Sequence, residues 1–143
     1  MTSSAQQVAA KIRAGYAQGP IAGAEVQGSF AASKLEINHI PAQPGDGVWE
    51  GPVWAGALLG ATKALQAAIP DFHQDIELTA TGDEVRVVST LKGTLKDGTV
   101  LNHTNRGVLT VKEGKIVKAV NNNQGAGDSR QVMMRAFSQN SAA

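Results

Sequence analysis

The chain has 143 residues, 42% of them hydrophobic, a length and apolar content that suit one globular domain with a substantial core. The 13 basic and 12 acidic residues leave a formal net charge of +1, and the basic residues are scattered, so there is no electrostatic reason to expect nucleic acid or an anionic membrane as partner. Cysteine is absent, which excludes disulfides, thiolate nucleophiles and zinc–thiolate sites.

Met1 to Gln7 is polar and carries no apolar run of the signal-peptide kind. No stretch approaches the roughly 20 apolar residues of a membrane span, and a cytoplasmic protein is the expectation. Ser3 or Ser4 can cap a first helix, along which Val8, Ile12 and Tyr16 recur every four residues on one face. Gly19-Pro20 ends it, and a second short helix carries Ile21, Val26 and Phe30. Lys34 to Ile40 alternates, with Leu35, Ile37 and His39 on one face of a strand and Glu36 and Asn38 on the other. Pro41 to Gly51 is rich in glycine and proline and reads as a loop; it holds Trp49. A third helix starts at Pro52 and aligns Trp54, Leu58, Ala61, Leu65 and Ala68 before Ile69-Pro70 closes it.

The remainder is a meander of strands, predicted at Phe72 to Thr79, Glu84 to Leu95, Thr99 to Val111 and Ile116 to Asn123. Thr81-Gly82-Asp83, Lys96-Asp97-Gly98 and Lys112 to Lys115 supply the turns. Gly125 to Asp128 leads into a short C-terminal helix or tail. Three helices followed by hairpin-linked strands predict a single α+β domain over 1–143, a curved antiparallel sheet packed on the helices, with 1–7 and 125–143 as less ordered ends. The long strand carries Val85, Val87 and Leu91 on one face and Val88 on the other. A sheet apolar on both faces must hide the second, either in a homodimer or under the C-terminal segment.

The order of elements resembles the nuclear transport factor 2-like superfamily. "VWEGPVWAGALLGATKALQAAIPDF" resembles the SnoaL-like pattern of a glycine, a helix and a Pro-Asp before the sheet, and "TGDEVRVV" and "GVLTVKEGKIVKAV" resemble its later strands and turns. The resemblance runs from about Val8 to Asn123. It implies a cone-shaped sheet around a pocket for a small hydrophobic organic molecule. Relatives of this kind include ketosteroid isomerases, polyketide cyclases, scytalone dehydratases and limonene epoxide hydrolases, so the chemistry must be argued from the pocket.

Parity and the resemblance together turn Leu35, Ile37 and His39 inward from the first strand, and Leu101, His103, Asn105, Leu109 and Val111 from a later one. Val88 and Thr90 are expected inward on the long strand, a register that would swap them for Ser89 and Leu91 if shifted by one residue. Ala119 and Asn121 face in from the last strand. Apolar ends and a polar middle are the composition of a ligand pocket. His39, in "INHIP", resembles the histidine many SnoaL-like proteins carry before this proline; it reads either as a satisfied core histidine or as the acid–base group at the pocket mouth. His103 carries the same two readings, while His73 reads as surface.

Asn105 occupies a position resembling that of the ketosteroid isomerase oxyanion-hole aspartic acid, and its amide can donate to an enolate oxygen. Tyr16 is a second candidate donor or else a boundary tyrosine; Trp49 and Trp54 are candidates to wall or lid the pocket. Asn121 stands where cyclases and epoxide hydrolases of the superfamily place an aspartate base, and an amide cannot take a proton at neutral pH. The epoxide hydrolase arrangement is weakened further, because Val88 and Thr90 stand where those enzymes carry an arginine and an aspartate. Asp46 and Glu50 could fold over the mouth. Three distant histidines without carboxylate spacing make no metal motif, and no cofactor is expected. The leading reading is a cofactor-free isomerase, dehydratase or cyclase in which His39 or His103 moves a proton and Asn105, Asn121 and Tyr16 hold an oxyanion. Its rivals are a non-catalytic binding protein, an altered epoxide hydrolase and an adaptor acting through the convex face.

Overall fold

The computed structural model describes residues 3–122 together with Gln131, Val132, Met134 and Arg135. The stretch Gly125 to Asp128 and the tail expected after it lie outside the described residues, apart from those four positions. Helix α1 (Ser4–Ala17) begins with a reciprocal cap: Gln6 N–H donates to Ser3 Oγ at 3.2 Å, and Ser3 N–H donates to Gln6 Oε1 at 3.0 Å. Helix α2 (Pro20–Ser29) starts after Gly19, whose φ of 133° suits only glycine, with Pro20 preset for the first turn. Helix α3 (Gly51–Ala68) ends where Pro70 forbids continuation. Among the described residues no helix is long and apolar enough to cross a membrane.

The strands are β1 (Ala31–Ile40), β2 (Gly47–Glu50), β3 (His73–Thr81), β4 (Glu84–Thr94), β5 (Val100–Lys112) and β6 (Lys115–Asn122). They form one sheet in the order β2-β1-β6-β5-β4-β3. Three helices on one curved, unclosed sheet are the predicted α+β architecture, with two differences of detail. The Gly/Pro-rich loop contains β2, which pairs Leu35 with Trp49 on the edge of β1. Its four residues are too few for periodicity to reveal. The sheet is also mixed, because β1 runs parallel to β6 while every other pair is antiparallel.

The helices lie on the concave face, and the core there divides into two clusters. One gathers Val8 and Ile12 of α1, Leu35 and Ile37 of β1, Trp54 of α3, and Leu78, Val85, Leu109, Ile116 and Ala119 of the sheet. The other joins Leu65, Ile69 and Phe72 to Leu91, Leu95 and Leu101. Arg13 Nη2 ties α1 to the sheet by donating to the Leu78 carbonyl at 2.7 Å. Between the clusters the inward positions are polar, and there the helices stand away from the sheet.

Strand β4 corrects one expected register. Val85, Val87, Ser89 and Leu91 point to the helices, whereas Val88 and Thr90 lie on the convex face, where Thr90 Oγ1 sits 3.2 Å from Thr104 Oγ1. The apolar pair Val87-Val88 defeats alternation, because both faces of this strand are apolar at that point.

Ile12 is fully buried where α1 meets the sheet, so Ile12→Ala leaves a cavity that α1 cannot collapse into. The substitution is expected to cost about 2–5 kcal/mol, read from urea unfolding as a lower midpoint at constant slope. A loss well under 1 kcal/mol would show that α1 contributes little to the core.

Candidate active site

The gap between the two apolar clusters is a cleft with two lobes. The inner lobe, about 140 Å³, has Trp54 and Leu58 on the helix side and Val87, Gly107 and Asn121 on the sheet side. The outer lobe, about 330 Å³, reaches His39, Gln43 and Thr62. Tyr16, Leu58, Gln74, Ser89, Asn105 and Asn121 line both.

Strand register explains the polar centre. Parallel pairing sets His39 beside Asn121, antiparallel pairing sets Asn121 beside Gly107, and Asn105 follows two residues away on the same face. Asn105 in turn lies opposite Ser89, whose Oγ accepts from Gln74 Nε2 at 2.6 Å. Among the described residues, no hydrogen bond takes up either the Asn105 or the Asn121 carboxamide, so both offer donors and acceptors to whatever fills the cleft.

The His39 ring is held from outside the cleft. Its Nδ1 lies 2.6 Å from Asp46 Oδ1, while Asp46 Oδ2 accepts the backbone N–H of His39 at 3.0 Å and of Gln43 at 3.1 Å. The hydrogen bond from the His39 side chain leads the effects that hold the Asp46 carboxyl below its ordinary value, and the backbone donors add to it. An ionised carboxylate only accepts, so Nδ1 carries the proton and the lone pair of the neutral ring is on Nε2. Trp49 steadies the same loop from its far side, with Nε1–H donating to the Gly45 carbonyl at 2.8 Å.

Tyr16 lies flat on Gly23, where a Cβ would collide with its ring, so the α1–α2 contact fixes the tyrosine in place. Its hydroxyl donates to Gln27 Oε1 at 3.0 Å, and burial pushes its pKa up to about 12. It therefore stays protonated through the neutral range and acts as a donor, never as a base.

The structure brings His39, Asn105, Asn121, Tyr16 and Trp54 to the cleft and leaves the other expected residues outside it. His103 is wholly buried on β5 opposite Leu91 and lines neither lobe. Ile37 is core, 3% exposed. Trp49 sits at the sheet edge on β2, and Val88 and Thr90 are on the far face. Val87 and Ser89 take the inward places, so β4 still lacks the arginine and aspartate of an epoxide hydrolase. Sequence reasoning did not single out Gln27, Gln43, Thr62 and Gln74; the last shares the parity of Phe72, Ile76 and Leu78 and was readable there. Among the described residues no group of three or more histidine, aspartate or glutamate side chains could hold a metal.

No family model and no curated protein sequence matches the chain. Solved structures do. A candidate polyketide cyclase from Acidithiobacillus ferrooxidans superposes with a TM-score of 0.63 at 19% identity, covering 95% of this chain and 98% of that one. The chain has the nuclear transport factor 2-like, SnoaL-like fold. A candidate polyketide cyclase from Bacillus cereus shares this fold at a TM-score of 0.61 and 19% identity, over 93% of this chain and 81% of that one. So does a nuclear transport factor 2-like protein of unknown function from Burkholderia pseudomallei, at 0.60 and 14%, over 95% and 98%. At these identities the SnoaL-like fold is what is shared, and the chemistry rests on the cleft.

The Asp46 contact has a pH signature. A carboxyl held below its ordinary value of 3.8 contributes stability that is present above that value and lost as pH falls through the folded-state value. The Asp46 side-chain carbon signal is therefore expected to titrate with a midpoint below 3.8, and in His39→Gln the midpoint should rise toward it. A midpoint at or above 3.8 in the unmodified protein would mean the carboxylate is not held by these donors.

Proposed function

We propose that this protein is a cofactor-free isomerase, dehydratase or cyclase that moves a proton on a small hydrophobic carbonyl or polyketide-like compound. The observation that carries the reading is a histidine fixed by an ionised carboxylate at a cleft whose centre presents two uncommitted carboxamides. His39 Nε2 takes a proton from the carbon beside a carbonyl, and the C–H electron pair moves into the carbon framework and onto oxygen. The N–H groups of Asn105 and Asn121 hold the oxyanion, as donors that need no ionisation of their own. The imidazolium, stabilised by Asp46, returns the proton to another carbon or to a leaving oxygen. Trp54 and Leu58 wall the inner lobe on the helix side. His103 has no part in this chemistry, since it lines neither lobe.

Incubation with cyclic ketones, epoxides and polyketide-like aromatics, followed by product analysis, identifies the substrate. On that substrate His39→Gln is expected to lower kcat/KM by about 10²–10⁴-fold, with Asp46→Asn intermediate and altered in its pH profile. Unchanged turnover by His39→Gln would overturn the reading. A non-catalytic binding protein is favoured by one observation, the amide at Asn121 with no carboxylate among the described residues that line the cleft. It would retain ligand in native mass spectrometry and release it unaltered.

The convex face supports a homodimer as the working unit. Val88, Val108, Val120 and Ile40 border a shallow groove of about 350 Å³ there, an apolar centre rimmed by Arg86, Arg106 and Asn122. Sedimentation of the unmodified protein is expected to give twice the chain mass, and Val108→Lys the chain mass alone. A monomer in the unmodified protein would exclude the dimer.

A further inference from the structure

Gly107 sits in the middle of β5 between two inward-facing neighbours, Val87 on β4 and Asn121 on β6. A glycine inside a strand is less stable there than alanine, because it loses more backbone freedom on folding, so its presence asks for a cause. Backbone conformation does not supply one, because Gly107 is not among the residues of positive φ such as Gly82, Gly98 and Gly114. It occupies no turn, and the pairing on both sides of it is unbroken. What its missing side chain does leave is room. Gly107 lines the floor of the inner lobe, opposite Trp54 and Leu58. A Cβ there would stand 3.2 Å from Asn121 Oδ1 and 3.2 Å from the Val120 carbonyl, tight enough to push the carboxamide by a few tenths of an ångström and to take space from the floor. Glycine inside a strand often marks a place where a ligand approaches the backbone closely.

The lobe's size and lining indicate the ligand. At about 140 Å³ it matches a cavity that takes one benzene-sized ring. None of the residues that line it among those described is acidic or basic. We propose that Gly107 is the specificity-determining residue of the cleft, the seat for a single neutral six-membered ring whose oxygen reaches Asn105 and Asn121 while the rest of the molecule extends toward His39. The inference rests on the same cleft as the proposed function but concerns binding alone, so it stands or falls without turnover.

Phenol is the probe, titrated by calorimetry into the full chain. The unmodified protein is expected to bind phenol, and to bind benzoate more weakly, since a carboxylate finds no fixed cationic partner in the lobe. Gly107→Ala, shown to be folded by its melting curve, is expected to weaken phenol binding about tenfold or more, the scale of one carbon misplaced in a tight pocket. In the unmodified protein, phenol is expected to move the Gly107 Hα resonances by its ring current, a reading that needs no variant to fold. Absence of phenol binding, Gly107→Ala binding phenol as tightly as the unmodified protein, benzoate binding as well as phenol, or bound phenol leaving the Gly107 Hα resonances in place would each overturn the proposal. Loss of turnover in His39→Gln would bear on the proton carrier and leave this result untouched.

Discussion

Backbone pairing between β1 and β6 joins the N-terminal half of the chain to the last strand of the meander, and the cleft exists because of it. Parallel strands cannot be joined by a tight turn, so α3 and four strands of the sheet lie between the two partners in sequence. The pairing starts where Ile116 N–H donates to the Phe30 carbonyl at 2.8 Å, passes a register shift, and sets His39 beside Asn121 before it ends with Ile40 beside Asn122. A slip of one residue would turn His39 to the convex face and bury Asn38 in its place. Ile37 and Ala119, paired two residues before and on the same face, lock the register by burial, at 3% and 2% exposed. The geometry of the polar centre is thus set by apolar residues that take no part in its chemistry.

The centre also goes against the preference of a core. Asn105 and Asn121 occupy inward positions between the two apolar clusters, and neither amide is matched by a protein partner among the described residues. Polar groups so placed depend on solvent or ligand for their hydrogen bonds, and sequences tend to depart from the rules of folding at functional sites. Gly107 is a second departure of the same kind on the same face. Two local losses of stability, adjacent in the sheet and open to one cleft, are better explained by recognition than by architecture.

Much of this was legible in the sequence. The helices, the hairpins and their order follow from four-residue and two-residue periods broken at Gly19-Pro20, Pro70 and the Gly-containing turns. His39, Asn105 and Asn121 were readable from parity and the family resemblance together, because adjacent apolar pairs such as Val108-Leu109 and Ala119-Val120 leave parity alone ambiguous on β5 and β6. Val88 and Thr90 were misplaced because Val87 and Val88 are equally apolar, and only pairing with Gly107 and Arg106 decides which of the two faces the helices. His103 has the right parity, but parity does not tell how far along a strand the cleft extends. Asp46 is a loop residue held by tertiary contacts to His39 and Gln43, and no period marks a carboxylate that reaches a histidine by a chain reversal.

The residues lining both lobes include no lysine, arginine, aspartate or glutamate among those described. For a ligand of the proposed kind, a described lining without formal charge adds little electrostatic steering, so capture would respond weakly to ionic strength. Occupancy then depends on how long a guest stays rather than on how fast it arrives, through the fit of its ring and its few hydrogen bonds. A site of the proposed kind would discriminate by residence time, in dilute and in salt-rich surroundings alike.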